Sequence, residues 1–284
     1  MKRKLFTAPL FIYFATFLIL PLVFLIIVSF SAKDDLGNIL PIFSIAAYQK
    51  ILSPTYIKIL LSSFKLAFIT AILALFIGYP IAYFISQMKT KYKQVLLLLM
   101  MLPFWISSLL RTYGWMILLG KEGLINRLLL ALKLSKQPLN LMYRFESVLV
   151  VTLYMLIPFM ILSVFNSLDQ IDLSYLEASA DLGASKRQTF FNVILNLSMP
   201  GIIRGFALVF IPALSMYFVS DLIGGGQVIF VGNLINTQMS KARNKPQAAA
   251  LAIVLLLLVI IFLYFISKIL KKWKGDAREE NSPF

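Results

Sequence analysis

Long apolar runs separated by short polar segments make up almost the whole chain. A helix rises about 1.5 Å per residue, so about 20 apolar residues are needed to cross a hydrocarbon core of about 30 Å. Five runs without a charged residue reach or approach this length: Leu5 to Ala32, Leu66 to Met88, Gln94 to Leu110, Ser147 to Leu168 and Pro246 to Ser267. A sixth run, Gly205 to Ser220, is shorter and reaches this length only if residues 200–203 extend it and Arg204 snorkels to the surface.

This pattern predicts an all-α polytopic membrane protein with six transmembrane helices in a single domain over residues 1–284. The expected spans lie at about 9–30, 59–87, 95–119, 147–168, 200–220 and 247–269. The first span is expected to stay uncleaved, because its apolar run is longer than the core of a signal peptide. Residues 222–240 are also uncharged, but their glycines and amides predict an extracytoplasmic loop or a re-entrant segment.

The composition agrees with a membrane protein and excludes several chemistries. Hydrophobic residues make up 60% of the chain and charged residues only 14%, whereas soluble domains are about 45–50% apolar. The chain has no cysteine and no histidine, so disulfides, thiolate metal sites, thiol nucleophiles and histidine acid/base chemistry are excluded. The net charge of +15 comes from Lys and Arg that flank the apolar runs, which indicates membrane anchoring and no nucleic-acid partner.

The orientation depends on where the basic residues lie. With the N-terminus inside, 13 Lys and Arg are cytoplasmic and 11 lie in the outer loops. Basic residues close to short inner segments carry more weight, and "KRK" at the N-terminus and "KTKYK" at 89–93 are such segments. We therefore expect both termini, and a loop over residues 169–198, to be cytoplasmic.

The polar stretch "YLEASADLGASKRQTFF" at 175–191 carries strong helix-capping signals. Ser174 and Glu177 fit one capping box, and Ser185 and Gln188 fit a second. Gly183 between them fits a left-handed helix C-cap. The stretch predicts a helix, a glycine turn and a second helix. It is either an interfacial hairpin without a partner or a helix with a small-residue face that lies in a groove of another protein.

These residues also carry a resemblance to a known family. Glu177, Ala178 and Ser179, followed by Gly183 and an apolar run to Pro200, resemble the EAA loop of permease subunits of ATP-binding-cassette (ABC) importers, which have the type I importer fold. The resemblance implies that a coupling helix docks in a cleft of the ATPase, with Glu177, Ala178, Ser179, Gly183 and Ala184 as the coupling residues. The chain departs from the family pattern at Ser179, Val193 and Asn196. At Asn196 a proline is common, so we expect Pro200 to supply the local helix break.

A wider resemblance covers roughly residues 5–270. The motifs "LPFWISSLLRTYGW", "LPFMILSVFNSLDQID", "MPGIIRG" and "YFVSDLIGGGQVIFVGN" are similar to those of inner-membrane permeases of spermidine/putrescine importers. The resemblance implies a transport subunit, not an enzyme, that forms half of a polyamine path in the bacterial inner membrane. Its implied partners are a second permease subunit, two cytoplasmic ATPase subunits and an extracytoplasmic substrate-binding protein.

The identity of the substrate stays open on the sequence alone. Permeases with the same loop also carry thiamine, ferric iron, phosphate, phosphonate or sulfate, so the substrate is not fixed. The chain has no phosphate-binding G-x-x-x-x-G-K-[ST] motif, so ATP-Mg must be bound by partner subunits and no cofactor is expected in this chain.

Four ionisable residues lie within or beside the predicted spans, at Lys65, Arg111, Arg204 and Asp221. Lys65 and Arg204 are expected to snorkel, and Arg111 to take part in a buried pair. Asp221 with Tyr217 and Phe218 offers the carboxylate and aromatic faces that a polycation needs. One hypothesis is that these three residues, with Arg111 and Trp105, line the translocation path. Alternatively, Asp221 pairs with Arg111 or reaches the headgroup level.

Two other classes of membrane protein fit poorly. A transferase with metal-bound carboxylates would have to use Asp169, Asp172, Glu177 and Asp181, which adjoin predicted helix ends and face no second acidic cluster. We therefore expect no metal site. A secondary transporter would need coupling carboxylates near the middle of the membrane, and the predicted spans contain none.

Overall fold

A computed structural model describes residue 13, residues 15–34 and residues 37–279, with side chains described as far as residue 268. Apart from one short hairpin, this part of the chain is helical. The hairpin pairs β1 (Ser31–Lys33) with β2 (Ile39–Phe43) in antiparallel register. The α-helices are α1 (Leu20–Ser29), α2 (Ala46–Ile51), α3 (Pro54–Ser86), α4 (Thr90–Met101), α5 (Ser108–Leu119), α6 (Leu124–Ala131), α7 (Phe145–Leu168), α8 (Leu173–Asp181), α9 (Lys186–Thr189), α10 (Leu195–Ser215), α11 (Tyr217–Gly224), α12 (Val231–Ser240) and α13 (Lys245–Glu279).

Four helical segments of the described chain are long and apolar enough to cross a membrane: Pro54–Ser86, Phe145–Leu168, Lys186–Ser215 and Lys245–Lys268. A fifth span would be the pair Thr90–Trp105 and Ser108–Ala131, which is bent by 89°. The apolar helix Ala15–Ser29 is shorter. Residues 9–12 and 14 of the expected first span at 9–30 lie outside the described residues. The structure therefore agrees with a polytopic all-α protein, and the count of six spans stays a prediction.

The bend in the third apolar run follows from its sequence. The chain leaves α4 through a tight 3-10 turn over Leu102–Trp105, and α5 begins at Ser108. Pro103 lies at the start of that turn, where a missing N–H is tolerated. The span predicted at about 95–119 is therefore bent at this turn.

The fifth predicted span also has different bounds. A π-helical turn, Phe190–Ile194, joins α9 to α10, so one helix runs from Lys186 to Ser215. It continues through Pro200, so the expected break there is wrong. The helix ends at Met216, whose φ of −74° and ψ of 82° are not helical, and α11 begins at Tyr217. Residues 222–240, predicted as a loop or re-entrant segment, form the end of α11 and all of α12.

The described chain divides into two compact units. The first comprises the described residues up to 61 and residues 231–262. Its core contains Ala47, Ile51, Tyr56, Ala250 and Leu251. Buried Gln247 donates from Nε2 to the carbonyl of Ala47 at 3.1 Å, which satisfies its amide N–H in an apolar setting.

The second unit comprises residues 62–230 and the described residues from 263 onward. Its centre is the crossing of α7 and α10, where two buried glycines bring the backbones together. A Cβ on Gly201 would lie 2.5 Å from Ser167 Oγ, and one on Gly205 would lie 2.6 Å from Met160 Sδ. Ser163 Oγ donates to the carbonyl of Gly201 at 2.9 Å. This small-xxx-small pattern permits close helix packing in a membrane and places the polar loop 169–185 between two tightly joined helices.

Candidate functional site

The segment from residue 169 to residue 198, named here the coupling loop, forms the predicted helix, turn and helix. Its first helix, α8, begins two residues earlier than expected. Asp172 is the N-cap, and its carboxylate accepts a hydrogen bond from the Ser174 N–H at 3.0 Å. The predicted capping box of Ser174 and Glu177 is therefore wrong, because a carboxylate two residues earlier takes the capping position.

The same hydrogen bond changes the titration of Asp172. The Ser174 N–H stabilises the carboxylate and lowers the pKa of Asp172 below its usual range. Because the folded pKa is the lower one, the cap stabilises the loop above the ordinary pKa of an aspartate and is lost as the pH falls through the lowered value. The cap is therefore fully formed at neutral pH.

Gly183 terminates α8 in the left-handed conformation that the sequence predicts, with φ of +76°. The N–H of Gly183 donates to the carbonyl of Ala180 at 2.9 Å, and the N–H of Ala184 donates to the carbonyl of Ser179 at 3.1 Å. These two bonds form a Schellman motif. The second capping box is confirmed: the Ser185 N–H donates to Gln188 Oε1 at 2.8 Å, and the Gln188 N–H donates back to Ser185 Oγ.

The coupling residues expected from the resemblance do not all face the same way. Glu177 and Ala178 are exposed, whereas Ser179 is buried and its hydroxyl shares a hydrogen bond of 2.8 Å with that of Thr189. Ala184 is half-buried behind the turn. Ser179 therefore holds the two helices together and does not belong to the exposed surface.

Sequence reasoning missed the most exposed apolar side chains of the coupling loop. Leu182 is 88% exposed, Leu173 69% and Tyr175 52%. Tyr175, Ala178 and Leu182 are spaced so that they share one face of α8 and form an apolar surface there, whereas Leu173 lies on a different face. Contiguous exposed apolar surface of this kind marks interaction sites. The sequence did contain a signal for the exposure of Leu182, which is its position immediately before the glycine turn. Leu182 is the C-cap residue of α8 and lies outside the packed face of the helix.

The coupling loop is attached to neighbouring helices at several points. Lys93 Nζ lies 2.5 Å from Asp169 Oδ1, in a partly exposed ion pair. Beside this pair an open groove of about 430 Å³ separates the coupling loop from the end of α3. On the other side, Phe190 packs edge-on against Tyr79 and Tyr83, with ring centroids 6.0 and 5.3 Å away. The loop is therefore held at both ends.

The residues expected to line the translocation path lie in α5, in α11 and in the turn before α5. Asp221 and Tyr217 are exposed on α11, and Phe218, next to Tyr217, is half-buried. α11 packs against α5. Tyr217 and Phe218 contact each other edge-on at 6.0 Å. Trp105 is 82% exposed. The assignment of these five residues to a path stays a prediction.

Arg111 lies in α5 with its guanidinium 5.2 Å from the centre of the Phe104 ring. Its Nε is buried and has no hydrogen-bond partner among the described residues. The ion pairs of the described chain include none between Arg111 and Asp221. The alternative in which these two residues pair is therefore not supported by the structure.

Comparison with known proteins places the fold. A sequence profile of the family described as "binding-protein-dependent transport system inner membrane component" matches residues 74–274. The chain belongs to this family. It is a transport subunit, a permease of the ABC importer type, and not an enzyme. The family is an inner-membrane component, so the chain is a multi-pass inner-membrane protein.

Two relatives of this permease cover most of its length. The spermidine/putrescine transport system permease PotB of Escherichia coli is 39% identical over 84% of this chain and 86% of the relative. PotB of Haemophilus influenzae is 37% identical over 88% of each chain. The resemblance expected from the motifs is confirmed.

Solved structures share the fold of the permease at low sequence identity. A chain in a bacterial alginate ABC transporter, solved in complex with an alginate pentasaccharide-bound periplasmic protein, has a TM-score of 0.75 at 14% identity, over 93% of this chain and 91% of that chain. A chain of the methionine transporter MetNI has a TM-score of 0.56 at 16% identity, over 78% and 99%. This likeness confirms the type I importer fold.

Proposed function

We propose that this permease forms half of the translocation path of an ATP-driven importer of polyamines, spermidine and putrescine. The observation that carries this proposal is the identity of 37–39% to PotB proteins over 84–88% of the chain. Identity at this level extends through the membrane helices and is not limited to the coupling loop, which importers of many solutes have in common.

The proposed transporter contains four kinds of chain. This permease pairs with a second permease, two cytoplasmic ATPase subunits bind ATP-Mg, and an extracytoplasmic protein delivers the polyamine. The family description and the periplasmic protein in the alginate transporter structure support the binding-protein partner. Both termini and the coupling loop lie in the cytoplasm in this arrangement.

The coupling loop is the proposed contact with an ATPase subunit. Its exposed side chains Tyr175, Ala178 and Leu182 share one helix face and supply a surface that can be buried in a protein groove. Its Schellman motif, its capping box and the bond between Ser179 and Thr189 hold that surface in one shape. Because the loop is attached to α7 and α10, a movement imposed on the loop is transmitted to two membrane helices that cross at Gly201 and Gly205.

The proposed path begins on the outer side, at α11. An ammonium group is stabilised by carboxylates and by aromatic faces, and α11 exposes both in Asp221 and Tyr217. We assign two further residues to the same path: Arg111 in α5 and Trp105 in the turn before it.

The substrate class is tested by a calorimetric titration of the extracytoplasmic binding protein that delivers solute to this permease. We expect tight binding of spermidine and putrescine, with no heat from thiamine or ferric iron. Tight binding of thiamine, iron, sulfate or a phosphonate, without polyamine binding, would assign the permease to a different importer.

A further inference from the structure

The segment over residues 120–139, between α5 and α7, lies outside both the coupling loop and the residues proposed for the translocation path. It lies on the opposite side of the membrane from the coupling loop, because α7 connects the two. It contains α6, and four leucines in it are largely exposed: Leu124 56%, Leu128 51%, Leu132 67% and Leu134 71%. The part of the chain that the structure describes does not cover these leucines, so a partner is needed to shield them from water.

A buried asparagine fixes this segment at both ends. Asn126 is 1% exposed, and its Nδ2 donates to the carbonyls of Gly120 and Leu139, each at 3.0 Å. Its Oδ1 accepts from the Leu139 N–H at 2.8 Å. One side chain thus joins the start, the middle and the end of the segment, so the exposed leucines are presented by a defined structure.

The end of α6 is fixed as well. Lys133 adopts a left-handed conformation with φ of 55°. Its N–H donates to the carbonyl of Leu130 at 3.0 Å, and the N–H of Leu134 donates to the carbonyl of Leu129 at 2.9 Å. This is a Schellman motif formed without glycine, and it turns Leu132 and Leu134 outward from the end of the helix.

The charges of the segment indicate what covers the leucines. Residues 120–139 contain four basic side chains, Lys121, Arg127, Lys133 and Lys136, and one acidic one, Glu122. All five are exposed. Basic residues are normally depleted from outer loops, so this excess needs a cause. Lysine and arginine beside exposed leucines are typical of helices that lie in the membrane interface, where the cations contact lipid phosphates.

The position of the segment agrees with this cause. It begins at Gly120, where α5 ends, and α5 exposes Leu109, Leu110, Tyr113 and Ile117 along its length. α7 starts at Phe145, shortly after the segment ends. The segment therefore connects two apolar helices, α5 and α7.

We propose that α6 and the turn after it lie in the outer membrane interface, with Leu124, Leu128, Leu132 and Leu134 inserted among the acyl chains and the basic side chains at the phosphates. The partner is the phospholipid surface. Two other partners could cover the leucines, the periplasmic binding protein and the second permease. The test below distinguishes each of them from the lipid. The inference rests on the membrane fold and stays valid whichever solute the importer carries.

The absence of cysteine from this chain makes a direct test possible. Single-cysteine variants Leu124→Cys, Leu128→Cys, Arg127→Cys and Lys136→Cys are spin-labelled in the transporter assembled with partner subunits whose own cysteines have been replaced. The transporter is reconstituted in vesicles of phosphatidylethanolamine and phosphatidylglycerol. The accessibility of each label to oxygen, which concentrates in lipid, and to a water-soluble nickel chelate is then measured. Residues 127 and 128 are adjacent, so each serves as the matched control for the other.

We expect the labels at 124 and 128 to collide with oxygen and to be several-fold less accessible to nickel than those at 127 and 136. Equal nickel accessibility at all four positions would show that the segment stands in water and would overturn the proposal. Labels at 124 and 128 that are immobile and shielded from both reagents would show burial against another subunit, and shielding that appears only when the binding protein is added would show a docking surface. Either result would also overturn it.

Discussion

A glycine is favoured at position 183 because of its backbone conformation and not because neighbouring atoms would exclude a side chain. A Cβ at this position would meet no atom within 4 Å, but φ is +76°. Side chains branched at Cβ are strained in this region by about 1–2 kcal/mol, whereas asparagine tolerates it. The sequence alone was sufficient to predict the left-handed conformation of this glycine, because the capping signals on both sides left one residue for the turn.

Gly183→Val is therefore expected to disrupt the Schellman turn and to displace Leu182, the most exposed side chain of the coupling loop. We expect the assembled transporter to lose most of its substrate-stimulated ATPase activity, measured as phosphate release in proteoliposomes. Gly183→Asn keeps the left-handed conformation and is expected to retain activity. Normal stimulation in the valine variant would mean that the loop is only a connector.

Asp221 is the only acidic residue of α11 and is exposed on it. If Asp221 contributes its charge to a polyamine path, Asp221→Asn removes the attraction for ammonium groups and leaves the shape nearly unchanged. We expect spermidine uptake to fall several-fold while the subunits still copurify. Glu122→Gln is the control, because Glu122 is an exposed acid in the outer segment 120–139. Uptake in Asp221→Asn equal to that of the control would remove Asp221 from the path.

At the scale of elements, the crossing of α7 and α10 is the most tightly packed contact on the route from the coupling loop into the membrane. Gly201 faces Ser167 Oγ and the backbone carbonyl of Ser163 at distances shorter than a methyl group allows. The backbone cannot yield as a flexible side chain can, so an added methyl must separate the helices.

Gly201→Ala is expected to destabilise the protein by about 1–3 kcal/mol, measured as a lower midpoint of thermal unfolding in detergent. Gly114→Ala is the matched control. It makes the same chemical change in a membrane helix, at a position where a Cβ meets nothing within 4 Å. The control should unfold at or slightly above the native midpoint, because alanine favours helix. Equal midpoints in the two variants would contradict the tight crossing.

The sequence predicted some elements well and others poorly, for identifiable reasons. Apolar runs without breaks, such as Ser147 to Leu168, gave helices close to their expected ends, because length and hydropathy alone determine a simple span. The fifth span was misplaced, because α10 continues through Pro200 and joins the coupling loop by a π-helical turn that leaves no mark in hydropathy. The burial of Ser179 was also missed, since its contact with Thr189 depends on how two helices pack.

At the scale of the whole molecule, the chain combines a rigid coupling loop on one side of the membrane with a fixed, leucine-rich segment on the other. The same helix, α7, ends at the first and begins beside the second. Family membership assigns this arrangement to ABC importers, and the similarity to PotB proteins supports a polyamine as the solute.

The most direct test of this account is the ATP-dependent uptake of radiolabelled spermidine by proteoliposomes that contain this chain with its second permease and ATPase subunits, and with the binding protein added outside. The account predicts that spermidine accumulates only when both ATP and the binding protein are present, and that unlabelled putrescine competes with it. Accumulation of thiamine, ferric iron or sulfate under the same conditions, without accumulation of spermidine, would contradict it.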